Sequence, residues 1–239
     1  AAAYTAVDKA ENEFNIANRI NSHAINEISK TLLETGGKIL HISTDYVFNG
    51  NQNLPYKTNS IRDPINSYGI SKANGEKSIE NILFPSQQGF ILRTSWLMGP
   101  LGNNFALTML DLMNKKENLK IIFDQIGAPT TTISLARVCW EIVSKLQNNE
   151  AIPNIMHWSD AGVSSWYDIA IAIGDIATKY EILKNPAEIV PIKTENYPTL
   201  AKRPPYSILD CSSTKDILNV KGKYWRHELE DIISKMINY

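Results

Sequence analysis

Cysteine is scarce in this sequence of 239 residues, which contains Cys139 and Cys211 and no others. Two isolated cysteines favour neither a disulfide framework nor a cysteine-based metal site. Long apolar runs are also missing, and no segment reaches the roughly 20 apolar residues that span a bilayer. No basic-then-apolar leader opens the chain. These absences predict a cytoplasmic protein that does not enter a membrane.

An excess of charge of one sign is the next absence. The 24 Lys and Arg residues nearly balance the 25 Asp and Glu residues, which gives a formal net charge of -1. Electrostatic binding to nucleic acid or to an anionic membrane requires a basic surface, so we expect neither partner. The four histidines show no ligand spacing and the acidic residues are scattered, so we assign no metal ligands.

What the sequence does contain is an alternation of strand-like and helix-like segments. Lys38–Ile42 and Phe90–Arg93 are short apolar strands on either side of a helical segment, Asn66–Leu83. This alternation is typical of an α/β protein, with a parallel sheet and helices on both faces. The later predicted helices cover about 104–115, 133–146, 165–180 and 227–237, and the later strands cover 119–123, 155–158 and 189–192.

A first helix is predicted before the Lys38–Ile42 strand. Asp8 and Glu11 have the spacing of a capping box, which would mark its start. Gly36 and Gly37 would end it. One face of this helix is marked by apolar residues three or four apart: Ala17, Ile20, Ala24, Ile28 and Leu32.

Tyr68 and Lys72 are the residues that point to chemistry. Four residues apart on a helix, they share one face. A phenol has a pKa near 10, and moving it to about 7 requires about 4 kcal/mol of preferential stabilisation of the anion. A nearby ammonium and a nicotinamide cation would supply it, which is the logic of a Tyr-Lys acid/base pair. The same spacing also occurs on ordinary surface helices.

Thr44 follows the Lys38–Ile42 strand, at the end where ligands bind in parallel α/β sheets. Its hydroxyl there would orient a substrate oxygen toward Tyr68. The alternative is a simple turn or cap residue.

Longer segments resemble a known family. HISTDYVFNG (His41–Gly50) and PINSYGISKANGE (Pro64–Glu76) are similar to the active-site region of extended short-chain dehydrogenases/reductases. Within that family the chain is most similar, along its whole length, to dTDP-4-dehydrorhamnose reductases. The segments that carry this similarity are AAAYTAVDKAE, LRTSWLMGPLGNNF, DQIGAPT, SSWYDIA and YPTLAKRPPYSILD.

The resemblance implies a Rossmann-type doubly wound parallel sheet with a smaller carboxy-terminal substrate domain. Residues 1–100 would belong to the nucleotide-binding domain. Residues 101–239 would form mainly the substrate domain, with part of about 119–150 returning to the first. It also implies a nucleotide-sugar substrate and allows for a homodimer and a magnesium ion.

The resemblance further assigns roles in reducing the C4 keto group of dTDP-4-dehydrorhamnose with NADPH or NADH. Tyr68 would donate the proton, Lys72 would hold the cofactor ribose and lower the pKa of Tyr68, and Thr44 would bond the substrate oxygen. The cofactor would also contact Ala3, Tyr4, Thr5 and Ile42. The substrate would contact Thr44, Asp45, Trp96 and Asn104.

Several residues keep a second interpretation. Trp96 is either a substrate contact or core, and Asn104 either contacts the diphosphate or caps a helix. Asp124 and Gln125 either bond the sugar or shape a turn. Arg203 either pairs with a phosphate or is a solvated side chain before Pro-Pro.

The glycine-rich phosphate loop of the family does not occur among the 12 glycines. In the family this loop opens the chain, so the resemblance implies that roughly 60 residues precede Ala1 in the intact protein. The Lys38–Ile42 strand would then be an open edge. The chain alone would be poorly stable or unable to bind the cofactor, and its preference for NADH or NADPH is not readable.

Two other functions compete with simple reduction. One is an epimerase or dehydratase acting on another nucleotide sugar, and the other is a non-catalytic regulatory subunit of the same fold. A dehydratase typically places an Asp-Glu pair beside the Ser/Thr position, whereas here Thr44 precedes Asp45 and Tyr46. Reduction therefore fits the residues better.

Overall fold

The structure is a computed structural model that describes residues 3–235. The predicted end of the last helix at Ile237, and Ala1 and Ala2 of the AAAYT segment, lie outside the described residues. The helices are α1 (Val7–Asn12), α2 (Phe14–Asn18), α3 (Ala24–Thr35), α4 (Ser67–Leu83), α5 (Phe105–Lys115), α6 (Thr132–Gln147), α7 (Trp166–Lys179), α8 (Ser212–Leu218) and α9 (Trp225–Lys235). The strands are β1 (Ile39–Thr44), β2 (Gly89–Thr94), β3 (Leu97–Met98), β4 (Asn118–Ile122), β5 (Ile126–Gly127), β6 (Thr130–Thr131), β7 (Ile155–His157), β8 (Ser164–Ser165) and β9 (Glu188–Ile192).

The alternation read from the sequence is confirmed, and the architecture is α/β with parallel pairing. The sequence analysis missed α8 and the two-residue strands, which are too short for a period to show. It also placed the start of the last helix at residue 227, whereas α9 begins at Trp225. Within residues 3–235 no helix is both long enough and apolar enough to cross a membrane.

The chain folds into two compact units. The first contains the described residues up to Thr94 together with 138–158 and 199–220. The second contains 95–137, 159–198 and the described residues from Lys221 onward.

A three-stranded parallel sheet organises the first unit, in the order β1-β2-β7. Its central strand β2 is buried along its whole length. Within residues 3–235, β1 pairs with β2 alone, so it is an edge of this sheet. Because β1 and β2 pair from Ile39–Gly89 to Thr44–Thr94, Thr44 lies at their carboxyl end. Apolar side chains from α3, α4 and β2 fill the space beside the sheet: Ile25, Ile79, Leu83 and Ile91.

The predicted capping box at Asp8 and Glu11 is wrong. The first helix begins at Val7 and no side chain caps it. The Asp8 carboxylate instead accepts hydrogen bonds from Arg203 and from the backbone N–H of Ala201. The Glu11 carboxylate accepts from the backbone N–H and the hydroxyl of Ser67. Both carboxylates therefore connect the amino-terminal segment to distant parts of the first unit, whereas a helix cap would bond only to its own helix.

The predicted helix is interrupted, and of its predicted apolar face only Ala17 is buried and Leu32 partly buried. A π-helical turn over Arg19–His23 separates α2 from α3. Such a turn holds an extra residue, so side chains beyond it rotate relative to a regular α-helix. Ile20 and Ile28 are therefore 37% and 45% exposed, while Asn21 is buried. The buried residues on this side are Ala17, Asn21, Ser22, Ile25 and Ser29.

The second unit has small sheets and one large apolar core. β4 pairs in parallel with β9, β3 pairs in parallel with β6, and β5 pairs antiparallel with β8. Helices α5, α7 and α9 supply most of the core. Its members include Met109, Met113, Leu119, Ile169, Ile173, Ile176, Trp225, Leu229 and Ile233.

Candidate active site

The amino-terminal end of α4 is fixed by its cap and by a close contact. The Asn66 side chain accepts from the backbone N–H of Gly69 at 2.8 Å and donates to the Lys202 carbonyl at 2.8 Å. A Cβ at Gly69 would collide with the backbone carbonyl of Tyr46. Glycine at this position therefore lets the first turn of α4 lie directly on the segment that follows β1, which positions the neighbouring Tyr68.

Tyr68 lies partly buried beside Tyr46, with the ring centroids 5.9 Å apart in an edge-to-face arrangement. Burial raises the pKa of Tyr68 to about 12, and a hydrogen bond with the Thr44 side chain opposes part of that rise. The phenol is consequently protonated at neutral pH. Thr44 and Tyr68, predicted as partners from separate motifs, are therefore brought together by the fold.

Lys72 is one helical turn further along α4 and is 3% exposed. Its Nζ donates to the Ile42 carbonyl at 2.7 Å and lies 3.2 Å from Nε2 of His41. Burial lowers the pKa of Lys72 to about 8, against the opposing effect of the Glu76 charge. The amine is thus still mostly protonated at neutral pH, although it is buried.

Thr44 is the last residue of β1, and Asp45 begins the turn that follows it. The Thr44 hydroxyl donates to the Asp45 carboxylate at 3.0 Å and accepts from the backbone N–H of Tyr46 at 3.2 Å. Thr44 thereby caps the 3-10 turn over Asp45–Val47, as its alternative interpretation expected. Burial raises the pKa of Asp45 to about 7, opposed by hydrogen bonds from Ser207 and Thr44.

Asn21 is a site residue that the sequence analysis missed. Its side chain accepts from the backbone N–H of Tyr4 at 2.9 Å and donates to the Tyr4 carbonyl at 2.9 Å. It also donates to the hydroxyl of Ser71 on α4 at 3.0 Å. Asn21 therefore fixes the Ala3–Thr5 segment, whose Ala3 and Thr5 are exposed, to the helix that carries Tyr68 and Lys72.

A buried ionic network lies one turn beyond Lys72. Glu76 is fully buried and receives Nε and Nη2 of Arg93 at 2.9 and 2.7 Å, a bidentate pair. Arg62 donates to the same carboxylate at 3.1 Å, and Ser43 donates to it at 2.5 Å. Burial acts to raise the pKa of Glu76, but the hydrogen bonds and charges of Arg93 and Arg62 outweigh it, so the pKa lies below its ordinary value.

Trp96, in the second unit, is held in a strained conformation. Its φ of 48° lies in the left-handed region, which a bulky residue rarely adopts. The ring stacks on Trp166 at 3.8 Å with an interplanar angle of 9°. A Cβ at Gly127 would come within 2.5 Å of the Trp96 ring, so only glycine leaves space there. Trp96 remains half-buried, which fits neither a pure core residue nor an exposed one.

The structure also places the residues with two interpretations. Asn104 caps α5 by accepting from the backbone N–H of Leu107. Asp124 accepts from the backbone and the hydroxyl of Thr194, so it shapes the local loop. Arg203 donates to Asp8 at 2.6 Å, so its interpretation as a merely solvated side chain is wrong. No group of three or more His, Cys, Asp or Glu side chains that could hold a metal is present among residues 3–235.

Comparison with known proteins decides the family. A family model described as RmlD substrate binding domain matches residues 1–238. A dTDP-4-dehydrorhamnose reductase of Aggregatibacter actinomycetemcomitans is 39% identical over 233 residues, which is 97% of this chain and 78% of that protein. The chain belongs to the dTDP-4-dehydrorhamnose reductase family.

Solved structures of dTDP-4-dehydrorhamnose reductases have the same fold. That of Clostridium acetobutylicum matches with a TM-score of 0.87 and 32% identity, over 100% of this chain and 79% of that one. That of Bacillus anthracis, in complex with NADP, matches with a TM-score of 0.84 and 33% identity, over 97% and 77%. The resemblance drawn from the sequence motifs and the Rossmann-like fold class are both confirmed.

Proposed function

We propose that this chain carries the catalytic residues of an NADPH-dependent reductase that converts the C4 keto group of dTDP-4-dehydrorhamnose to a hydroxyl. The single observation that carries the proposal is the convergence of Thr44, Tyr68 and Lys72 at the carboxyl end of β1. Membership of the dTDP-4-dehydrorhamnose reductase family supports it, since the relatives that define the family carry the name of this reaction.

Tyr68 is the proton donor in this proposal. Reduction adds a hydride to C4 and a proton to the carbonyl oxygen, so the acid must begin protonated. The raised pKa of the Tyr68 phenol satisfies that condition at neutral pH. The O–H bond of Tyr68 breaks as the new O–H bond of the product forms. Thr44, hydrogen-bonded to Tyr68, directs the substrate oxygen to that proton.

Lys72 stabilises the phenolate that Tyr68 becomes. An ammonium nearby favours the anion, which lowers the pKa of the phenol as the proton leaves. In the structure the Lys72 ammonium is hydrogen-bonded to the Ile42 carbonyl and to His41, and the pKa of Tyr68 is raised, so Tyr68 keeps its proton. The pKa-lowering role of Lys72 therefore stays a prediction.

The donor groups of the site suit a nicotinamide cofactor. An ammonium has three N–H donors, and Ile42 and His41 use two of those of Lys72, so one remains for a ribose hydroxyl. The Ala3–Thr5 segment is held by Asn21 and open to solvent on its other side. When bound, NADPH would supply the hydride. The NADP complex of the Bacillus anthracis reductase favours NADPH over NADH.

The two units take different tasks in this proposal. The first unit holds the cofactor through Tyr4, Ile42 and Lys72 and performs the proton transfer. The second contributes to nucleotide-sugar binding through Trp96, whereas the Asn104 side chain is engaged in capping α5 and in a bond to the Gly99 carbonyl. The rigid stack under Trp96 supports a binding role, because backbone strain in folded proteins concentrates at functional sites. We assign no magnesium ligand, and the homodimer stays a prediction.

The test is turnover of the full-length protein with NADPH and dTDP-4-dehydrorhamnose in deuterated water. A reductase consumes one NADPH for each sugar and yields dTDP-rhamnose, identified by its proton NMR spectrum. An epimerase would instead exchange carbon-bound hydrogen without net loss of NADPH. A folded protein that binds NADPH and does neither would support a regulatory subunit.

A further inference from the structure

β1 presents two polar side chains on a buried face. Residues two apart in a strand point to the same side, so His41 and Ser43 share one face of β1. Both are buried. Each meets a charged side chain of α4, since Ser43 donates to Glu76 and the His41 ring lies against Lys72. Neither His41 nor Ser43 belongs to the Thr44, Tyr68 and Lys72 group.

Donor and acceptor roles fix the protonation state of His41. The Lys72 ammonium has donors and no acceptor, so at 3.2 Å the Nε2 atom of His41 must accept. The ring proton of a neutral imidazole then resides on Nδ1. Burial and, to a smaller extent, the charge of Lys72 lower the pKa of His41 to about 3, against the opposing charge of Glu76. The ring is therefore neutral at any pH at which an enzyme of this kind works.

Two acceptors restrict the direction of the Lys72 side chain. A lysine side chain has four rotatable carbon bonds and loses considerable freedom when its amine is held in one place. The Ile42 carbonyl at 2.7 Å and His41 Nε2 at 3.2 Å hold the ammonium from two sides. The third N–H is then fixed in direction before any ligand arrives.

We propose that His41 is a positioning residue, which accepts a hydrogen bond from Lys72 and so orients the remaining N–H of that ammonium for a ribose hydroxyl of the cofactor. The contact between His41 and Lys72 stands on geometry alone. The identity of the ligand rests on the proposed function.

Three variants separate positioning from packing. His41→Leu removes the acceptor and replaces the imidazole with an apolar side chain of similar size. His41→Gln places an amide oxygen near the former Nε2 position and should restore the hydrogen bond. His157→Leu is the matched control, because His157 is also buried in this sheet but its Nε2 lies 3.3 Å from Arg93.

The first readout needs no turnover and is made on the full-length protein labelled with nitrogen-15 in histidine and carbon-13 in lysine. The His41 ring should show a bare Nε2 and a protonated Nδ1 in the unsubstituted protein. In His41→Leu the pKa of Lys72 should fall by about one unit, because a hydrogen bond to the charged form is lost. It should recover in His41→Gln and stay unchanged in His157→Leu. A protonated Nε2, or an unchanged Lys72 in His41→Leu, would overturn the contact.

The second readout is steady-state kinetics with NADPH. In His41→Leu the KM for NADPH should rise about tenfold, which is one lost hydrogen bond, with a smaller change in kcat. His41→Gln should return KM to near its original value. An unchanged KM beside the expected NMR shift would overturn the positioning role. If the protein binds NADPH but reduces no sugar, the proposed function fails, and the dissociation constant for NADPH replaces KM as the test.

Discussion

The two units differ in the charged side chains that they bury: the first buries a network of cations and carboxylates, whereas the buried charged residues described in the second are the carboxylates Asp160 and Glu228. In the first unit Lys72, Glu76 and Arg93 are nearly inaccessible beside the sheet. In the second unit α5, α7 and α9 bury aliphatic and aromatic side chains around Ile169 and Ile173. A buried charge costs several kcal/mol unless it is paired, so a unit that retains such charges relies on their hydrogen bonds being complete. The comparison predicts that substitutions in the first unit act through unpaired charges, and those in the second through packing and capping.

The largest stability effect should come from Glu76→Gln. The substitution leaves the buried Arg93 without a countercharge, while Arg62 keeps only its pair with Glu80, so the free energy of unfolding should fall by about 3–5 kcal/mol. Denaturant titration of the full-length protein measures it. Glu230→Gln, which breaks an exposed pair with Lys179 in the second unit, is the control and should change little. Equal losses in both variants would contradict the comparison.

The same carboxylate makes stability depend on pH in the acid range. The pKa of Glu76 is lowered in the fold, so its contribution is present above its ordinary pKa and is lost as the pH falls through the folded value. Glu76→Gln should therefore flatten the acid limb of the stability profile.

Asp45→Asn should have the opposite pH signature. The pKa of Asp45 is raised to about 7, so its stabilising contribution is present in acid and is lost as the pH rises through the folded value. Asparagine keeps an acceptor for the Thr44 hydroxyl and does not ionise. Relative to the unsubstituted protein, the variant should gain on the order of 2–4 kcal/mol between acid and mildly alkaline pH. Parallel stability profiles for the two proteins would show that Asp45 has the same pKa in the folded and unfolded states, which would contradict the raised pKa.

Two glycines in helices should respond with opposite signs to alanine. A Cβ at Gly75 of α4 would collide with the backbone carbonyl of Asn21, so Gly75→Ala should cost about 1–3 kcal/mol. A Cβ at Gly174 of α7 would meet Met113 Sδ at 3.7 Å, an ordinary contact. Gly174→Ala should therefore be neutral or stabilise by up to about 1 kcal/mol. Thermal melts of both variants provide the measurement, and a loss in Gly174→Ala would refute the packing argument.

The smallest effect is expected at the start of α7. Ser165 forms a capping box with Asp168, so Ser165→Ala should cost about 1 kcal/mol. The neighbouring Ser164 has a buried hydroxyl with no hydrogen-bond partner among the described residues. Ser164→Ala should therefore be neutral or slightly stabilising. Urea titration of the two variants gives the change in the free energy of unfolding for each. A larger loss in Ser165→Ala than in Ser164→Ala would show that the cap, and not burial of the hydroxyl, stabilises this helix end.

The sequence was most informative where a motif and a period coincide. The helix that carries Tyr68 and Lys72 was predicted to within a residue, since Asn66 begins it and the apolar strands on both sides delimit it. Asp8 was misread because capping is local, whereas its actual partner Arg203 is far away in the chain. The π-helical turn before α3 left no mark in the sequence, so the faces of that helix and the role of Asn21 were not predictable. Likewise, the strain at Trp96 depends on Gly127 and Trp166, which only the fold brings together.

The most direct test of the central claim compares two neighbouring tyrosines. Tyr68→Phe and Tyr46→Phe each remove one hydroxyl, and the two rings lie 5.9 Å apart. The rate of NADPH oxidation with dTDP-4-dehydrorhamnose is measured for both variants of the full-length protein. The account predicts that kcat falls by about 10²–10⁴ in Tyr68→Phe, the range expected for loss of a general acid, and changes little in Tyr46→Phe. A Tyr68→Phe variant that keeps its kcat would show that another group donates the proton.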